Sequence, residues 1–266
     1  MIAFLGNSDF GTELLQDFID RGFKISYVTT KKVDKPHAQG SLLEFERICS
    51  DNSIPLYKNA NINEQKFIDM NKDMGVKYGI IGGYDGIIKR GYLDSVDAVI
   101  NTHFGIIPRN RGCNPSIWDI LSGNEGGYTT YKISDEIDEG DIILQNTVPV
   151  DDNETSESLY NKVKDLSISE YGNVFDSLNS GEIKTVEYSE MDNIYHNSNM
   201  PNDRFVSWDW KAELIFRMHR SLKFGSYPTI RTMTSSGEPL ELNPLRFGND
   251  YIGEPATVIN IDKDTS

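Results

Sequence analysis

Short apolar runs alternate with amphipathic stretches along the first half of the chain. Apolar runs predict buried strands at 1–5, 24–29, 77–82 and 98–101, and a short extended segment at 54–57. Apolar positions at helical spacing predict helices over 11–19, 41–49 and 63–70. Strands that alternate with helices form mostly parallel sheets with helices on both faces. The pattern therefore predicts the α/β class, with a Rossmann-like, mostly parallel sheet.

The second half of the chain shows a different order of elements. Asn114 and Pro115 are typical of a helix start, and this helix is expected to continue to Leu121. Later elements are predicted as strands at 128–134 and 141–150, one long helix at 155–178, a polar surface connection at 190–204, a helix at 208–222, and short strands at 229–233, 240–247 and 256–261. We therefore expect a main domain over 1–185, and a helix plus a small β-rich module over 186–266.

Candidate chemistry begins where one apolar run ends. Asn101-Thr102-His103 follows a run that ends at Ile100. Residues i and i+2 of a strand point to the same side, so Asn101 and His103 can point into one small volume. A carboxylate, Asp138, follows in the acidic segment 135–141. These three groups suit acyl transfer through a tetrahedral oxyanion, although the pair alone fits a loop or a capped turn equally well.

A longer pattern surrounds these residues. It consists of Asn101-x-His103, Pro108, Arg111-Gly112, Pro115, Trp118, Gly127-x-Thr129 and Asp138-x-Gly140. The pattern resembles the formyltransferases that use 10-formyltetrahydrofolate, which include methionyl-tRNA, glycinamide ribonucleotide and sugar N-formyltransferases. The resemblance runs from about residue 1 to about residue 166. It implies an N-formyltransferase whose catalytic residues are Asn101, His103 and Asp138, with Asp141 in a structural role.

The resemblance also implies a folate site with 10-formyltetrahydrofolate as co-substrate. Proteins of this family hold the pterin largely through backbone groups, and the matching positions here are Tyr84, Asp85, Gly86, Ile87, Ile88, Ile133, Ser134, Asp135 and Ile137. Gly82 and Gly83 permit close approach of a ligand, although two glycines are also typical of a simple turn at the end of a strand. The chain departs from the family after Ile88, where Lys89 stands in place of a usual proline.

Three further residues are expected to bind the acceptor substrate. Arg109, Arg111 and Asn114 lie a few positions after His103. Arginine recognises phosphate because its planar fork donates two hydrogen bonds, so a diphosphate contact is expected. A solvated loop or a salt bridge is the alternative for both arginines, and Arg111 could instead anchor the loop over 112–115.

Charge distinguishes between the possible acceptors. The chain has 41 acidic and 26 basic side chains, a net charge of −15. Proteins that bind a phosphate backbone usually carry a basic surface. The segment at 33–42, where methionyl-tRNA formyltransferases carry a basic loop, is short and hardly basic. The resemblance therefore favours a nucleotide-linked amino sugar, destined for a surface glycan such as the O-antigen of lipopolysaccharide. Methionyl-tRNA is one alternative, and a non-enzymatic folate or sugar-nucleotide binding module is another.

Composition adds a few constraints. No apolar run approaches the roughly 18 residues needed to cross a bilayer. Two cysteines, Cys49 and Cys113, do not make a disulfide framework, and the histidines lack metal-ligand spacing. The turn over 6–11 is not GxGxxG, so a dinucleotide site has little support. We expect the protein to be a cytoplasmic homodimer. We also expect it to bind no metal and to contact neither nucleic acid nor membrane.

Overall fold

The computed structural model describes residues 1–31, 38–134, 140–180 and 194–242. The strands in these ranges are β1 (Ile2–Gly6), β2 (Ile25–Thr29), β3 (Leu56–Tyr57), β4 (Tyr78–Gly82), β5 (Ala98–His103), β6 (Arg111–Gly112), β7 (Gly126–Ile133), β8 (Gly140–Val148), β9 (Tyr195–His196), β10 (Ile230–Met233) and β11 (Pro239–Leu242). The α-helices are α1 (Asp9–Asp20), α2 (Ala38–Asp51), α3 (Gln65–Met74), α4 (Arg90–Leu93), α5 (Pro115–Ser122), α6 (Ser156–Glu170), α7 (Gly172–Ser180) and α8 (Ala212–Ser221).

Seven of the described strands form one sheet in the order β3-β2-β1-β4-β5-β7-β8. The strands from β3 to β5 run parallel to one another. The last two, β7 and β8, are a hairpin that adds to β5 in the antiparallel direction. The prediction of a Rossmann-like, mostly parallel α/β sheet is confirmed.

Two hydrophobic clusters cover the faces of this sheet. The first cluster contains Phe4 of β1 and Phe18 of α1, and the second contains Leu5 of β1 and Phe67 of α3. All four side chains are 0% exposed. Adjacent residues of a strand point to opposite faces, so neighbouring residues of β1 supply the two clusters. Burial on both faces explains why the strands are continuous apolar runs.

The turn between β1 and α1 packs on the end of β4. Ser8 caps α1, because Gly11 N donates to its Oγ at 3.3 Å. The same hydroxyl donates to Gly82 O at 3.3 Å. A Cβ on Gly11 would overlap that carbonyl oxygen, so only glycine fits there. The predicted strand-to-helix turn is confirmed, and its glycine serves close packing.

The prediction of a single helix over 155–178 is wrong. α6 ends at Glu170 and α7 begins at Gly172. Tyr171, at the break, is fully buried in the first cluster, and its hydroxyl accepts from Thr102 Oγ1 at 3.4 Å. Its backbone stays near helical angles (φ −62°, ψ −13°), but its N–H bonds Ile168 O, three residues back, so regular α-helical bonding stops at this position.

The helix predicted over 208–222 is shorter than expected. α8 begins at Ala212, because Trp208 turns inward and donates from Nε1 to Thr232 Oγ1 at 2.9 Å. The polar connection predicted at 190–204 contains β9, which pairs with β6. The hairpin of β10 and β11 confirms the turn predicted near Gly237.

Some expectations for the last part of the chain stay predictions. Residues 243–247 and the strand expected at 256–261 lie outside the described residues. The division into domains at 185 and 186 also stays a prediction. Among the described residues, no helix is long and apolar enough to span a membrane.

Candidate active site

Asn101 and His103 are the last residues on one side of β5. Val99 packs in the second cluster and Ile100 in the first. Because side chains alternate along a strand, Asn101 and His103 extend from the same face as Val99. Ligands of open α/β sheets bind at the carboxyl ends of parallel strands, which is where this pair lies.

Tyr131 holds the side-chain amide of Asn101. The antiparallel register places the two residues opposite each other on β5 and β7. Asn101 Nδ2 donates to the Tyr131 hydroxyl at 3.0 Å, and the tyrosine is only 2% exposed. This bond uses one of the two N–H groups of Nδ2, so the other can donate to a substrate oxygen.

A backbone carbonyl holds the ring of His103. The residue is 8% exposed, and its Nε2 lies 2.7 Å from the carbonyl oxygen of Asn110. A carbonyl oxygen can only accept, so Nε2 carries the hydrogen and donates. In the neutral ring, Nδ1 is then the nitrogen that can take up a proton. Gly105 makes room for this contact, since a Cβ there would lie 2.7 Å from Nε2.

Buried polar groups lie behind this carbonyl. Asn110 is 3% exposed, and its Nδ2 donates to Pro115 O at 3.1 Å and to Asp119 Oδ1 at 2.9 Å. Asp119 lies on α5 and is 1% exposed. Burial raises the pKa of its carboxyl to about 7, against the opposing effects of the Asn110 bond and of Arg109. The Arg109 guanidinium lies 4.0 Å from Oδ1.

Thr129 and Gln145 fix the loop that follows His103. Thr129 Oγ1 donates to Gly105 O at 2.7 Å and accepts from Ile107 N at 3.1 Å. Gln145 Nε2 donates to Ile107 O at 2.9 Å. A Cβ on Gly127 would overlap a carbonyl oxygen of β8. The motif Gly127-x-Thr129 therefore positions the loop beside the site.

Three described residues of the two predicted folate segments lie on the face that carries Asn101. Residues 84–88 follow β4, the strand that pairs with β5. Tyr84 and Ile88 are partly buried against the second cluster, as is Ile133 at the end of β7. The structure thus brings these three predicted positions to one apolar cluster.

The remaining residues of 84–88 lie nearer to solvent. Asp85 is exposed and forms an ion pair with Lys31 at 3.5 Å. A Cβ on Gly86 would overlap the ring of Tyr84, and the side chain of Ile87 is 76% exposed. Their predicted contribution to a folate site depends on backbone groups.

Asn63 explains why this chain has no proline after Ile88. Lys89 N donates to Asn63 Oδ1 at 2.8 Å, and Asn63 Nδ2 donates to Ile87 O at 2.8 Å. A proline at 89 has no N–H and could not make the first bond. The asparagine side chain therefore supports the end of the predicted folate loop.

The three predicted substrate-binding residues make contacts within the protein. Arg109 donates to Glu125 O at 3.0 Å. Arg111 is 9% exposed, and its guanidinium lies 5.7 Å from the ring centre of Tyr195. This contact fits the alternative in which Arg111 anchors its loop. Asn114 has φ 56° and precedes α5, but its side chain makes no capping bond. Substrate binding by the three stays a prediction.

β9 brings an aromatic contact to Trp118 of α5. His196 stacks on Trp118 with 4.1 Å between ring centres and 9° between planes. Burial lowers the pKa of His196. Trp118 is therefore covered by a residue from beyond 186.

Three predicted site residues, Asp135, Ile137 and Asp138, lie outside the described residues. Ser134 is the last described residue before this segment and Gly140 the first after it. Asp141, the nearby carboxylate to which the resemblance gives a structural role, is exposed on β8. The catalytic role of Asp138 stays a prediction.

Sequence reasoning missed four residues of this site: Tyr131, Asn110, Asp119 and Asn63. Asp119 carried a signal, since it is an acid among the apolar residues of a short helix. Tyr131 and Asn63 act through contacts between elements distant in sequence, and Asn110 acts through a turn whose shape its neighbouring residues do not mark.

One feature of the described residues concerns metal ligands and another concerns the buried cysteine, Cys49. The described residues contain no group of three or more His, Cys, Asp or Glu side chains that could hold a metal ion. Burial raises the pKa of Cys49 to about 11, so its thiol stays protonated near neutral pH.

Comparisons with known proteins agree with the sequence motif. The formyl transferase family profile matches residues 1–174. A methionyl-tRNA formyltransferase from Pelobacter propionicus is 26% identical over 263 residues, which cover 97% of this chain and 81% of the relative. A solved sugar N-formyltransferase from Shewanella sp. has a TM-score of 0.74 at 17% identity, covering 95% of this chain and 98% of that one.

A second solved structure has bound ligands. The N-formyltransferase from Helicobacter canadensis, in complex with folinic acid and dTDP-3-aminofucose, has a TM-score of 0.65 at 18% identity, covering 88% of this chain and 84% of that one. At these identities the solved structures show a shared fold, while the family profile spans more than half of the chain. The chain belongs to the formyl transferase family and is an N-formyltransferase.

Proposed function

We propose that the protein transfers the formyl group of 10-formyltetrahydrofolate to the amino group of a nucleotide-linked amino sugar. The observation that carries the proposal is the placing of Asn101 and His103 on one face of β5, with Tyr131 holding the amide and a backbone carbonyl holding the ring. An oriented amide donor beside an oriented imidazole suits acyl transfer. Asp138 completes the proposed catalytic set.

The chemistry follows from these groups. The amine nitrogen attacks the formyl carbon, a C–N bond forms, and the formyl oxygen becomes an oxyanion. When the oxyanion collapses, the bond between carbon and folate N10 breaks, the amine loses a proton and N10 gains one. The second N–H of Asn101 can stabilise the oxyanion by about 3 kcal/mol, as one such donor typically does. His103 Nδ1 can accept the amine proton, and Asp138 can orient the ring or relay protons.

The proposed folate site uses the apolar face next to Asn101. Tyr84, Ile88 and Ile133 offer partly buried apolar surface there, and Gly83 has φ 78°, which other residues rarely adopt. Backbone groups of 84–88, with Ile133, Ser134, Asp135 and Ile137, would bind the pterin. The folinic acid named for the Helicobacter canadensis neighbour supports a folate as the co-substrate.

Charge and structural similarity favour a sugar nucleotide as the acceptor. A net charge of −15 disfavours a long contact with tRNA, whereas a small phosphorylated ligand needs only a few donors. The chain and the Shewanella sugar N-formyltransferase cover 95% and 98% of each other. Arg109, Arg111 and Asn114 are the proposed contacts to the sugar nucleotide.

The proposed acceptor also suggests how the product is used and where the enzyme acts. Formylated amino sugars suit transfer into a surface glycan such as the O-antigen of lipopolysaccharide, and the substrate chemistry suits the cytoplasm. We propose a homodimer that acts there without nucleic acid or membrane partners.

A second candidate is methionyl-tRNA formylation. It is favoured by the relative from Pelobacter propionicus, which matches 97% of this chain. The two candidates differ in how binding depends on salt, because a tRNA enzyme loses affinity steeply as counterions compete.

A substrate panel tests these proposals. The protein is incubated with 10-formyltetrahydrofolate and one acceptor at a time. The acceptors are dTDP-, UDP- and GDP-linked amino sugars and initiator methionyl-tRNA, and the product masses are measured by mass spectrometry. A gain of one formyl group on a sugar nucleotide is expected. Formylation of the tRNA alone would select the second candidate. Transfer to none of these acceptors would exclude both candidate functions for the compounds tested.

A further inference from the structure

Buried polar groups connect His103 to helix α5. His103 Nε2 donates to Asn110 O at 2.7 Å, and the side chain of Asn110 donates to Asp119 Oδ1 at 2.9 Å. Asn110 and Asp119 are 3% and 1% exposed. Asp119 is thus two contacts from the ring that the proposed mechanism uses as a base.

A carboxyl group is an unfavourable choice for this position. Its neighbours on α5, Ile117 and Ile120, are 8% and 1% exposed and pack in hydrophobic clusters. Its second oxygen, Oδ2, has no hydrogen-bond partner among the residues that the structure describes. An apolar side chain would avoid the penalty of burying this group. The bond to Asn110 and the Arg109 guanidinium, 4.0 Å from Oδ1, are the two contacts that favour a carboxyl here, and the bond to Asn110 is the one that leads to His103.

The position of the Asn110 carbonyl depends on that bond. Asn110 ends the turn after His103, and its backbone N donates to Ile106 O at 2.9 Å. Its side chain reaches α5 through Asp119 and through Pro115 O. Without the bond to Asp119, one of two links between this turn and the helix is lost, and the carbonyl can move away from Nε2.

We propose that Asp119 is a positioning residue for His103. By binding the side chain of Asn110, it holds the Asn110 carbonyl against Nε2, so that the neutral ring carries its proton on Nε2 and can accept a proton at Nδ1. The consequence for turnover rests on the proposed function. The position of the ring proton does not, and it can be measured in the protein alone.

The protonated carboxyl can fill this role. Since burial raises the pKa of Asp119 to about 7, a large fraction of the group is neutral near neutral pH. Either form accepts from Asn110 Nδ2 at Oδ1. An asparagine at 119 offers the same acceptor, which makes Asp119→Asn the conservative variant.

The test combines kinetics with ring NMR. Asp119→Leu and Asn110→Ala each remove the link, whereas Asp119→Asn keeps it. The full chain is labelled with ¹⁵N-histidine, and long-range ¹H–¹⁵N correlation shows which ring nitrogen bears hydrogen. His103→Gln identifies the His103 signals among those of the four histidines of the chain. Formyl-folate affinity and acceptor KM are measured beside kcat.

Ile120→Ala provides a matched control for lost stability. It is the next residue of α5, it is 1% exposed, and it packs with Tyr128 and Leu159 away from the polar groups. This variant should melt at a lower temperature, while the His103 ring signals and kcat stay within about twofold of the wild type.

The expected result is a change confined to His103. In Asp119→Leu and Asn110→Ala, the neutral ring should be a mixture of two tautomers, one with hydrogen on Nε2 and one with hydrogen on Nδ1. Both variants should lower kcat about tenfold, with KM and formyl-folate affinity within about twofold of the wild type. Asp119→Asn should keep both the Nε2 tautomer of His103 and kcat close to those of the wild type. Unchanged ring signals in whichever of the two disruptive variants folds would overturn the proposal, as would an altered tautomer in Ile120→Ala. If no acceptor is formylated, the proposed function fails, and the ring signals still decide this inference.

Discussion

Asn101 Nδ2 donates to the hydroxyl of Tyr131 at 3.0 Å, across the pair formed by β5 and β7. One partner belongs to the parallel part of the sheet and the other to the hairpin that extends it. The orientation of the amide therefore depends on the register of the hairpin. In this arrangement the amide nitrogen of Asn101 is turned towards the hairpin.

We expect Tyr131→Phe to lower kcat about fivefold, with little change in the KM of either substrate. The variant removes the hydroxyl that orients the amide, and an orienting hydrogen bond is typically worth about 1 kcal/mol. Steady-state kinetics with the acceptor found in the substrate panel measure this effect.

Tyr128→Phe is the matched control on the same strand. Tyr128 is also buried, but it packs in another cluster and its hydroxyl donates to Glu170. Its loss should leave kcat within about twofold. An equal loss of turnover in both variants would mean that Tyr131 acts through the stability of β7.

The proposed catalytic residues should be needed for turnover and not for folding. Asn101→Ala and His103→Ala should each lower kcat by roughly a hundredfold or more, because they remove groups that act in the transition state. Asp138→Asn should also lower kcat. Thr102→Val, on the opposite face of β5, is the control for strand damage. Turnover near the wild-type rate in any of the first three variants, with an unchanged melting temperature, would remove that residue from the mechanism.

The sequence pattern predicts the part of this protein that depends on periodicity and local motifs. The alternation of strands and helices gives the parallel sheet, and the spacing of Asn101 and His103 gives their common face. Tyr171 shows where such reasoning stops. Periodicity carries one helix through this position, but in the structure Tyr171 N bonds Ile168 O and a separate helix, α7, begins at Gly172.

Supporting residues are harder to predict because their partners are distant in sequence. Asn63 lies 26 residues before Lys89, and Tyr131 lies 30 residues after Asn101. Each contact exists only once the sheet order and the hairpin register are fixed. Asp119 carries a local signal, an acid in an apolar helix, but its partner Asn110 cannot be chosen without the turn that precedes α5.

Asn63→Ala should weaken formyl-folate binding several-fold, with a small effect on acceptor KM. Asn63 bonds two backbone groups, Ile87 O and Lys89 N, at the end of the proposed folate loop. Losing them allows the loop to move before it binds. Calorimetry with folinic acid measures the affinity. Asn52→Ala, at the end of α2, is the control, since its side chain bonds only Ile48 O. Unchanged folinic acid affinity in Asn63→Ala would separate this loop from the folate site.

The two arginines after His103 should respond differently to substitution. Arg109→Ala is expected to raise the sugar-nucleotide KM about tenfold, because a charge-assisted bond to phosphate is worth roughly 1.5–3 kcal/mol. Arg111 is buried against Tyr195, so Arg111→Ala should also lower the melting temperature. Kinetics and melting curves on both variants separate binding from anchoring. Unchanged KM for the sugar nucleotide in both would take the arginines out of the acceptor site.

The buried carboxyl of Asp119 should make stability depend on pH. Its folded-state pKa is about 7, well above the value of about 3.9 for an unfolded aspartate. Below about pH 4 both states hold the proton, and the group has no net effect on unfolding. Between these values the folded state keeps a proton that the unfolded state has released, so rising pH favours unfolding by up to about 1.4 kcal/mol per pH unit.

Asp119→Asn removes this titration and keeps the bond to Asn110. Urea unfolding of both proteins near pH 5 and near pH 8 should therefore show a stability difference that grows in favour of the variant, by on the order of 2 kcal/mol. The other carboxyl groups are common to both proteins and cancel in the comparison. Parallel pH profiles would mean that Arg109, 4.0 Å from Oδ1, keeps the carboxylate ionised in the folded protein. Asp119 would then support Asn110 as an anion.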